Sequence, residues 1–442
     1  MGLRISRGLK SFKNFAATRP ITLRYGIDGV LAFGAVSMAS NNNNLFAQRL
    51  GAGDFHLSML MFLPQILILF LLVPMGLFTD SLRNKRRMLS VAMVAAAVFF
   101  AVSGVAAFLQ SAGVYFFLGM IAMATFAVGM MNLAWQAYFP EVVPDDGEAT
   151  TGEVETRNNV LTFRARMTMI ISLFAPLAIG AILTAIPSDD GKIITHQVFY
   201  VLAAVLLIIN ALHFRKIKAT RPAAPKRVSF AELKTAAKRL SKNKAFIWFA
   251  LVVLFFHITW QADWTLYFIG QRNYLEMNEL FLSLSPVLAM LAQLITLKRW
   301  SKNNARQGVE LPIVYGIIGL ALCPVAMILG VMMPVNWLGI TMFLMFHFIG
   351  HLGFANITLN LFQCLLKVVD EEYRSFSISV YTMLITLSHA VMPVAGIALY
   401  RGLGGNRSGL MWAFAILFFA RMAAAGLWVL YYRSRRGRQH AE

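Results

Sequence analysis

Histidine and amide side chains recur at helical spacing in the second half of the chain. Gln261 follows His257 by four residues, and His351 follows His347 by the same interval. Residues three or four positions apart share one face of an α-helix, so each pair predicts a polar stripe along a helix. Imidazole changes charge near neutral pH. The spacing therefore indicates groups that could accept a proton or contact a polar ligand.

Further amide and aromatic side chains, together with these stripes, predict a polar cavity. Four consecutive asparagines interrupt an apolar run, and two tryptophans at helical spacing could contact an apolar or aromatic face of a ligand. Hydrogen bonding between helices, which contributes about 0.6 kcal/mol in membrane proteins, is the favoured alternative for any single Asn or Gln. Together, the stripes favour a cavity. Its candidate residues are Asn41, Asn42, Asn43, Asn44, Asn132, Gln136, His257, Trp260, Gln261, Trp264, His347, His351, Asn356 and Asn360.

Long apolar segments must position these side chains. Hydrophobic residues make up 58% of the chain and charged residues 14%, and the mean hydropathy is +0.64. A bilayer core of about 30 Å needs about 20 helical residues, and the apolar segments lack the alternation of barrel strands. The composition excludes a soluble domain and predicts an all-α membrane protein with twelve transmembrane helices. The predicted spans are 28–48, 57–79, 88–109, 115–138, 162–186, 197–214, 245–269, 280–297, 311–333, 335–366, 375–400 and 409–432.

The net charge of +20 reflects membrane topology. Eleven Lys and Arg residues lie between residues 215 and 244, and most of the others fall at the termini or in alternate loops. The intervening loops hold only Arg49, Lys192, Arg272, Arg401 and Arg407. Cytoplasmic loops carry excess positive charge, so we expect both termini and the long basic loop in the cytoplasm. We also expect a monomer in the plasma (inner) membrane, with no nucleic-acid partner.

The long basic loop divides the spans into two groups of six. The fourth span of each group closes on a related string, QAYFPEVVPDD from Gln136 and QCLLKVVDEE from Gln363. Repeated halves with a site between them are a recurrent transporter design. The predicted domains are a cytoplasmic amphipathic segment (1–27), a six-helix bundle (28–214), a basic linker (215–244), a second six-helix bundle (245–432) and a basic tail (433–442). The acidic stretch 140–157 is expected to be a solvated cytoplasmic turn.

A motif follows the second span. A glycine is followed four residues later by an aspartate and then by a basic cluster; the residues are Gly76, Asp80, Arg83, Lys85, Arg86 and Arg87. This pattern resembles the signature of the major facilitator superfamily, with Phe78 where that signature has leucine and Arg83 where it has a second glycine. The twelve spans, the basic central loop and the cytoplasmic ends resemble the family's plan over essentially the whole chain.

The resemblance implies a fold, a mechanism and roles for residues. It implies the major facilitator fold, a small-molecule substrate and alternating access, in which two halves open the site to either side of the bilayer in turn. The first, fourth, seventh and tenth helices would line the central cavity, and the motif would act as a cytoplasmic gate. The polar candidates fall on those four spans.

Coupling to a proton gradient needs a titratable group within a span. Among the acidic residues, only Asp28 and Asp263 fall within spans, and Asp28 lies at the cytoplasmic edge. Asp263 is therefore the best carboxylate candidate, although its place toward the outer end of its span could expose it to external water. His257 and His347 are the alternatives. A lone membrane histidine such as His389 is typical of a structural hydrogen bond.

Three residues within spans suggest packing or pairing. Arg421 lies too deep in the last span to reach the membrane surface and therefore requires a buried partner. Cys323 and Cys364 are the only cysteines, and both are expected to pack as small apolar groups. No acidic ligand accompanies the His347 and His351 pair, so we expect no metal and no cofactor.

These observations favour a proton-coupled secondary active transporter of a small solute. No ATP-binding loop of the form G-x-x-x-x-G-K-[ST] occurs in the chain. Within transport, the alternative is an efflux carrier for amphipathic compounds, which the abundant Met and Trp favour, whereas the asparagines favour a polar metabolite. A membrane-embedded enzyme and a non-transporting receptor are the alternatives from other classes.

Overall fold

A computed structural model describes residues 18–40, 43–82, 84–143, 157–219, 230–369 and 374–439, and the regular elements in these ranges are helices. The first half contains α1 (Pro20–Ser40), α2 (Asn43–Arg49), α3 (Asp54–Ser81), α4 (Lys85–Ser103), α5 (Gly113–Val142), α6 (Arg157–Ala185) and α7 (Asp189–Phe214). The second half contains α8 (Phe230–Leu240), α9 (Lys244–Gln261), α10 (Trp264–Ile269), α11 (Glu279–Gln307), α12 (Glu310–Met332), α13 (Asn336–His351), α14 (Phe354–Leu366), α15 (Arg374–Gly402) and α16 (Arg407–Gln439). Short 3-10 turns connect α4 to α5, and one π-helical turn follows α10.

Side-chain caps mark where several helices begin. Asn84 accepts a hydrogen bond from a backbone N–H of α4, Ser188 from one of α7 and Asn243 from one of α9. Short polar side chains at this position satisfy N–H groups that have no partner within the helix. The polar residues between apolar segments therefore set the helix starts.

The length and composition of the helices fit a membrane. In the described ranges, ten helical stretches are long and apolar enough to cross a bilayer, and Asp54–Phe70 forms a shorter apolar helix. Large apolar side chains such as Phe70, Phe174 and Phe419 are exposed on the protein surface, where lipid can cover them. The all-helical class is confirmed, whereas twelve spans in two six-helix halves stay a prediction.

The described residues form two compact units that interleave along the chain. The first unit takes its residues from Met1–Leu50, Pro74–Ala178 and Pro187–Arg227, and the second from Gly51–Val73, Ile179–Ile186 and Val228–Glu442. In the first unit, α4 packs on α5 and α7, and α1 packs on α7. In the second, α12 packs on α13 and α16, and α9 packs on α15 and α16. The predicted linker contains α8.

Two predicted spans are broken helices. The predicted span 245–269 is interrupted at Ala262 and Asp263, between α9 and α10, and the span 335–366 is interrupted between α13 and α14. At the second break, Gly353 packs so closely on α12 that a Cβ atom would lie 2.9 Å from the carbonyl oxygen of Tyr315. The first break contains Asp263, the only acidic residue within the predicted spans of the second half.

Candidate functional site

A buried ion pair lies at the break between α9 and α10. Arg421 of α16 is 1% exposed and Asp263 is 0% exposed, and the guanidinium donates to the Asp263 carboxylate. Arg421 also donates to two backbone carbonyls, Leu320 at 2.7 Å and Trp260 at 3.0 Å. The buried Tyr267 hydroxyl lies beside the pair. Arg421 requires a buried partner according to its sequence position, and the structure identifies Asp263 as that partner.

The polarity of the helix ends explains why both charges lie here. The last carbonyl groups of α9 lack N–H partners within the helix, and Arg421 satisfies the one at Trp260. A cation is favourable at a helix C-terminus and an anion at an N-terminus. Asp263 directly precedes Trp264, the first residue of α10. The break therefore holds a cation and an anion at the helix ends that favour each of them.

Asp263 is not in contact with external water in this structure. The expectation that its position in the span would expose it is wrong, because α16 and α12 cover it. One carboxylate oxygen, Oδ2, accepts from Arg421, and the other, Oδ1, is buried without a hydrogen-bond partner. Buried polar atoms are nearly always satisfied in folded proteins. The Tyr267 hydroxyl, which is also buried, lies beside this carboxylate and is a polar group that could approach Oδ1.

The predicted stripe on α9 is present beside this pair. His257 Nδ1 and Gln261 Nε2 are 2.8 Å apart, and the Trp260 and Trp264 rings meet edge to face with centroids 5.6 Å apart. His257 Nε2 and Gln261 Oε1 are buried without partners. His389 was expected to be a structural histidine, and its ring lies 6.0 Å from His257 and 5.1 Å from Trp264.

The histidine pair on α13 lies next to a cysteine of α12. The His347 and His351 ring centroids are 4.3 Å apart, and Cys323 Sγ of α12 is 3.5 Å from His351 Nδ1. His351 Nδ1 also lies 2.8 Å from the carbonyl oxygen of His347. Sequence reasoning assigned Cys323 to packing, because nothing in the sequence shows that α12 brings this thiol against α13.

Asparagines on α14 continue the polar set in the second unit. Asn356 and Asn360 are both fully buried. Neither side-chain polar atom of Asn356 has a hydrogen-bond partner, and Asn360 Oδ1 accepts from Asn304 at 2.9 Å. The aromatic rings of Trp260 and Phe354 connect α14 to α9, with centroids 5.1 Å apart. Trp260 therefore links α14 to the ion pair, because its ring contacts Phe354 and its carbonyl accepts from Arg421.

The remaining cavity candidates belong to the first unit. Asn43 accepts a hydrogen bond from the Tyr200 hydroxyl at 2.9 Å, and Asn44 is partly buried. Asn132 and Gln136 are exposed on one face of α5, where a membrane helix normally carries polar groups only toward protein or water. Asn41 and Asn42 lie outside the described residues. A cavity shared with the second unit stays a prediction.

Asp28 is buried within a network of donors. It was predicted at the cytoplasmic edge of its span, and its carboxylate is 1% exposed. Its Oδ2 accepts from Trp135 Nε1 at 3.0 Å and from Arg164 Nε at 2.9 Å, and its Oδ1 accepts from Asn210 Nδ2 at 2.9 Å. Both oxygens are satisfied, which is typical of a structural network. The sequence analysis did not predict this network, although Asn210 is a polar residue within the predicted span 197–214.

The predicted gate motif is partly described. Gly76 and Asp80 lie in α3, and Arg83 lies outside the described residues. Lys85 donates to Glu141 at 2.7 Å, and both side chains are buried. The expectation of a solvated acidic turn is therefore wrong for Glu141, which belongs to the last turn of α5. The other two basic residues, Arg86 and Arg87, are partly and largely exposed respectively.

Known proteins resemble the chain in sequence pattern and in fold. The sequence model of the Major Facilitator Superfamily matches residues 29–393. No curated protein sequence matches the chain. Among solved structures, the nucleoside transporter NupG is similar with a TM-score of 0.67 and 13% identity, covering 93% of this chain and 99% of that chain.

Two further solved structures have the same fold. A bacterial homologue of the iron transporter ferroportin in an inward-facing state is similar with a TM-score of 0.69 and 13% identity, covering 93% of this chain and 98% of that chain. A bacterial homologue of the human lysosomal transporter Spinster is similar with a TM-score of 0.67 and 14% identity, covering 93% and 96% respectively. These likenesses show the fold, and the sequence match over residues 29–393 shows that the chain belongs to the Major Facilitator Superfamily.

Proposed function

We propose that this membrane transporter is a secondary active carrier that couples movement of a small polar solute to protons by alternating access. Family membership and the transporter neighbours support transport rather than enzymatic catalysis. Proton coupling needs a group within the membrane that exchanges a proton with water. Asp263 is the group that we assign to this role.

The contrast between the two buried carboxylates is the observation that supports this assignment. Asp28 receives three donors, so both of its oxygens are occupied. Asp263 receives Arg421 on Oδ2, and its Oδ1 makes no hydrogen bond of normal geometry, with the Tyr267 hydroxyl beside the carboxylate. A proton on Oδ1 would neutralise the carboxylate without removing the Arg421 hydrogen bond. Asp28 has no comparable position.

Protonation of Asp263 would change the stability of the break itself. Removing the charge of one partner leaves the other charge buried and uncompensated, which is strongly unfavourable. Arg421 would then favour an arrangement in which water or another acceptor reaches its guanidinium. Because Arg421 also holds the Trp260 carbonyl at the end of α9, the proton is coupled to the position of α9 relative to α16. This supplies a two-state element for alternating access.

The chemistry of the unpaired atoms favours a polar solute. His257 Nε2, Gln261 Oε1 and the Asn356 amide include both donors and acceptors and lack partners within the protein. A solute with hydroxyl, amide or ring-nitrogen groups could satisfy them. The tryptophans, which support the efflux alternative, already contact other aromatic rings: Trp260 stacks on Phe256 with centroids 5.7 Å apart. We therefore rank a polar solute ahead of an amphipathic one.

Reconstitution into liposomes tests transport and its driving force. Purified protein is assayed with labelled nucleosides, amino acids and sugars, first in counterflow without a gradient and then with an imposed pH gradient. We expect saturable counterflow of one solute class and accumulation only when the pH gradient is present. Binding without counterflow would indicate a receptor, and equal accumulation with and without the gradient would contradict proton coupling.

A further inference from the structure

Three potential metal ligands meet inside the second unit. One ligand atom from each of Cys323, His347 and His351 lies within 4.8 Å of the other two. The thiol comes from the middle of α12, and the imidazoles come from the last turns of α13. Each helix is fixed by the close packing of α12 against α13, where Gly319 and Gly350 allow backbone contact. The group is thus held by the helix scaffold rather than by a loop.

The imidazole of His351 has the hydrogen bond that metal-binding histidines usually make. Its Nδ1 lies 2.8 Å from the carbonyl oxygen of His347, and a carbonyl can only accept, so neutral His351 carries its proton on Nδ1. This leaves Nε2 unprotonated and available as a ligand. Metal-ligating histidines commonly donate their other ring N–H to a backbone carbonyl in this way, which fixes the tautomer and the ring orientation.

His347 provides an unsatisfied atom in the same group. The side chain is 8% exposed, and its Nδ1 is buried without a hydrogen-bond partner. Tyr267 and Phe343 rings pack beside it, with centroids 5.8 and 5.1 Å away, and the Arg421 charge lies near enough to act on it. Within the described residues no group satisfies Nδ1, so it remains available to a ligand. His351 is less buried than His347 and offers the more accessible side.

Ligand type and charge select the class of ion. One thiolate and two imidazoles suit the thiophilic cations Cu⁺ and Zn²⁺, whereas Mg²⁺ and Ca²⁺ require oxygen ligands. The neighbouring Asp263 and Arg421 already neutralise each other. Binding Cu⁺ with release of the thiol proton to water leaves the group neutral, and binding Zn²⁺ leaves one buried positive charge. Buried net charge is unfavourable, so the neutral Cu⁺-bound group is favoured over the positively charged Zn²⁺-bound group.

We propose that Cys323, His347 and His351 form a binding site for one thiophilic metal cation, with Cu⁺ preferred over Zn²⁺. This revises the sequence-based expectation of no metal, which lacked a third ligand because Cys323 lies 24 residues before His347 in the sequence. The site adjoins Asp263 and Arg421, but metal binding does not depend on the proton role proposed for Asp263. Metal binding can be measured on purified protein without any transport assay, so failure of one proposal does not imply failure of the other.

Spectroscopy of the full-length purified protein tests the site directly. Co²⁺ serves as a probe for Zn²⁺, because thiolate coordination produces a charge-transfer absorption that oxygen or nitrogen ligands do not. Cu⁺ affinity is measured by competition with a chromophoric chelator under anaerobic, reducing conditions. We expect one equivalent of each ion, a thiolate band with Co²⁺ and tighter binding of Cu⁺.

The two cysteines supply a matched pair of variants. Cys323→Ser should lower Cu⁺ affinity at least tenfold and remove the Co²⁺ thiolate band, and His347→Gln and His351→Gln should each weaken binding by a similar factor. Cys364→Ser, also a buried cysteine of the second unit, should bind as the wild type does. Absence of the thiolate band in wild-type protein, or equal loss in both cysteine variants, would overturn the proposal. The wild-type spectrum decides this even if a variant fails to fold.

Discussion

Pairing of individual buried charges can be partly deduced from the sequence. The depth of Arg421 in an apolar span indicates a buried partner, and Asp263 is one of only two acidic residues within spans. Their pairing required the fold, because 158 residues separate them. The contacts of His389 and Cys323 were not predictable, since each is the only residue of its kind on its helix segment and sequence periodicity carries no information about neighbours on other helices.

The ion pair should be coupled energetically. Arg421→Gln leaves the Asp263 carboxylate buried without its cation, and we expect a loss of about 3–5 kcal/mol of stability, as is usual when one partner of a buried pair is removed. The double variant Asp263→Asn with Arg421→Gln removes both charges and should recover much of this loss. Thermal unfolding of the purified variants in detergent measures the effect.

A matched pair in the first unit serves as the comparison. Arg164→Gln leaves Asp28 with Trp135 and Asn210 as donors, and Arg164 is the more exposed arginine, so its loss should be the smaller one. If Arg421→Gln is no less stable than Arg164→Gln, the burial and pairing described for Asp263 do not determine stability.

The helices themselves were largely predictable, and their interruptions were not. Hydropathy gives the position of most helices because about 20 apolar residues are needed to cross a bilayer. The break at Ala262 and Asp263 has no Pro or Gly to indicate it. Its cause is tertiary: Arg421 satisfies the Trp260 carbonyl that continuing the helix would have used. The only sequence indication of the break at Gly353 is the glycine itself, and the chain contains 31 glycines.

Glycines determine how closely α12 approaches α13. A Cβ at Gly319 would lie 2.8 Å from the carbonyl oxygen of Gly350, and one at Gly330 would lie 2.9 Å from that of Gly339. Small residues at such crossings allow helix backbones to pack closely in membranes. A methyl group at either position must therefore separate the two helices.

Gly319→Ala should consequently lower the thermal unfolding temperature. Gly426→Ala is the matched control, because Gly426 also lies within a helix and a Cβ there meets nothing within 4 Å. We expect Gly426→Ala to be neutral or to stabilise the protein, since Ala exceeds Gly in a helix by about 0.5–1 kcal/mol. Equal unfolding temperatures for the two variants would show that the α12–α13 approach is not limiting.

For the whole molecule, composition and charge predicted the class, and the family match confirms it. The chain is an all-helical membrane protein of the Major Facilitator Superfamily. Twelve spans, two six-helix halves and a shared cavity remain predictions. They depend on how the apolar segments are arranged in space, and the spacing of apolar residues along the sequence does not determine that arrangement. The interleaving of the two units along the chain also has no counterpart in the hydropathy pattern.

Orientation in the membrane can be tested by chemical labelling. In a background carrying Cys323→Ser and Cys364→Ser, Ser241→Cys and Asn406→Cys place a thiol at exposed positions on loops predicted to lie on opposite sides. The excess of Lys and Arg predicts that Ser241 is cytoplasmic. A membrane-impermeant maleimide added to intact cells should label Asn406→Cys and leave Ser241→Cys unlabelled until the membrane is permeabilised. The reverse pattern would contradict the topology.

Proton movement driven by the solute tests whether Asp263 carries the coupled proton. Proteoliposomes containing a trapped pH-sensitive dye are given the transported solute without an imposed gradient. Wild-type protein and Asp28→Asn should both show solute-dependent pH change in a fixed ratio to solute moved. The double variant Asp263→Asn with Arg421→Gln should keep counterflow and lose the pH change. An unchanged ratio of protons to solute in that double variant would show that Asp263 does not carry the coupled proton.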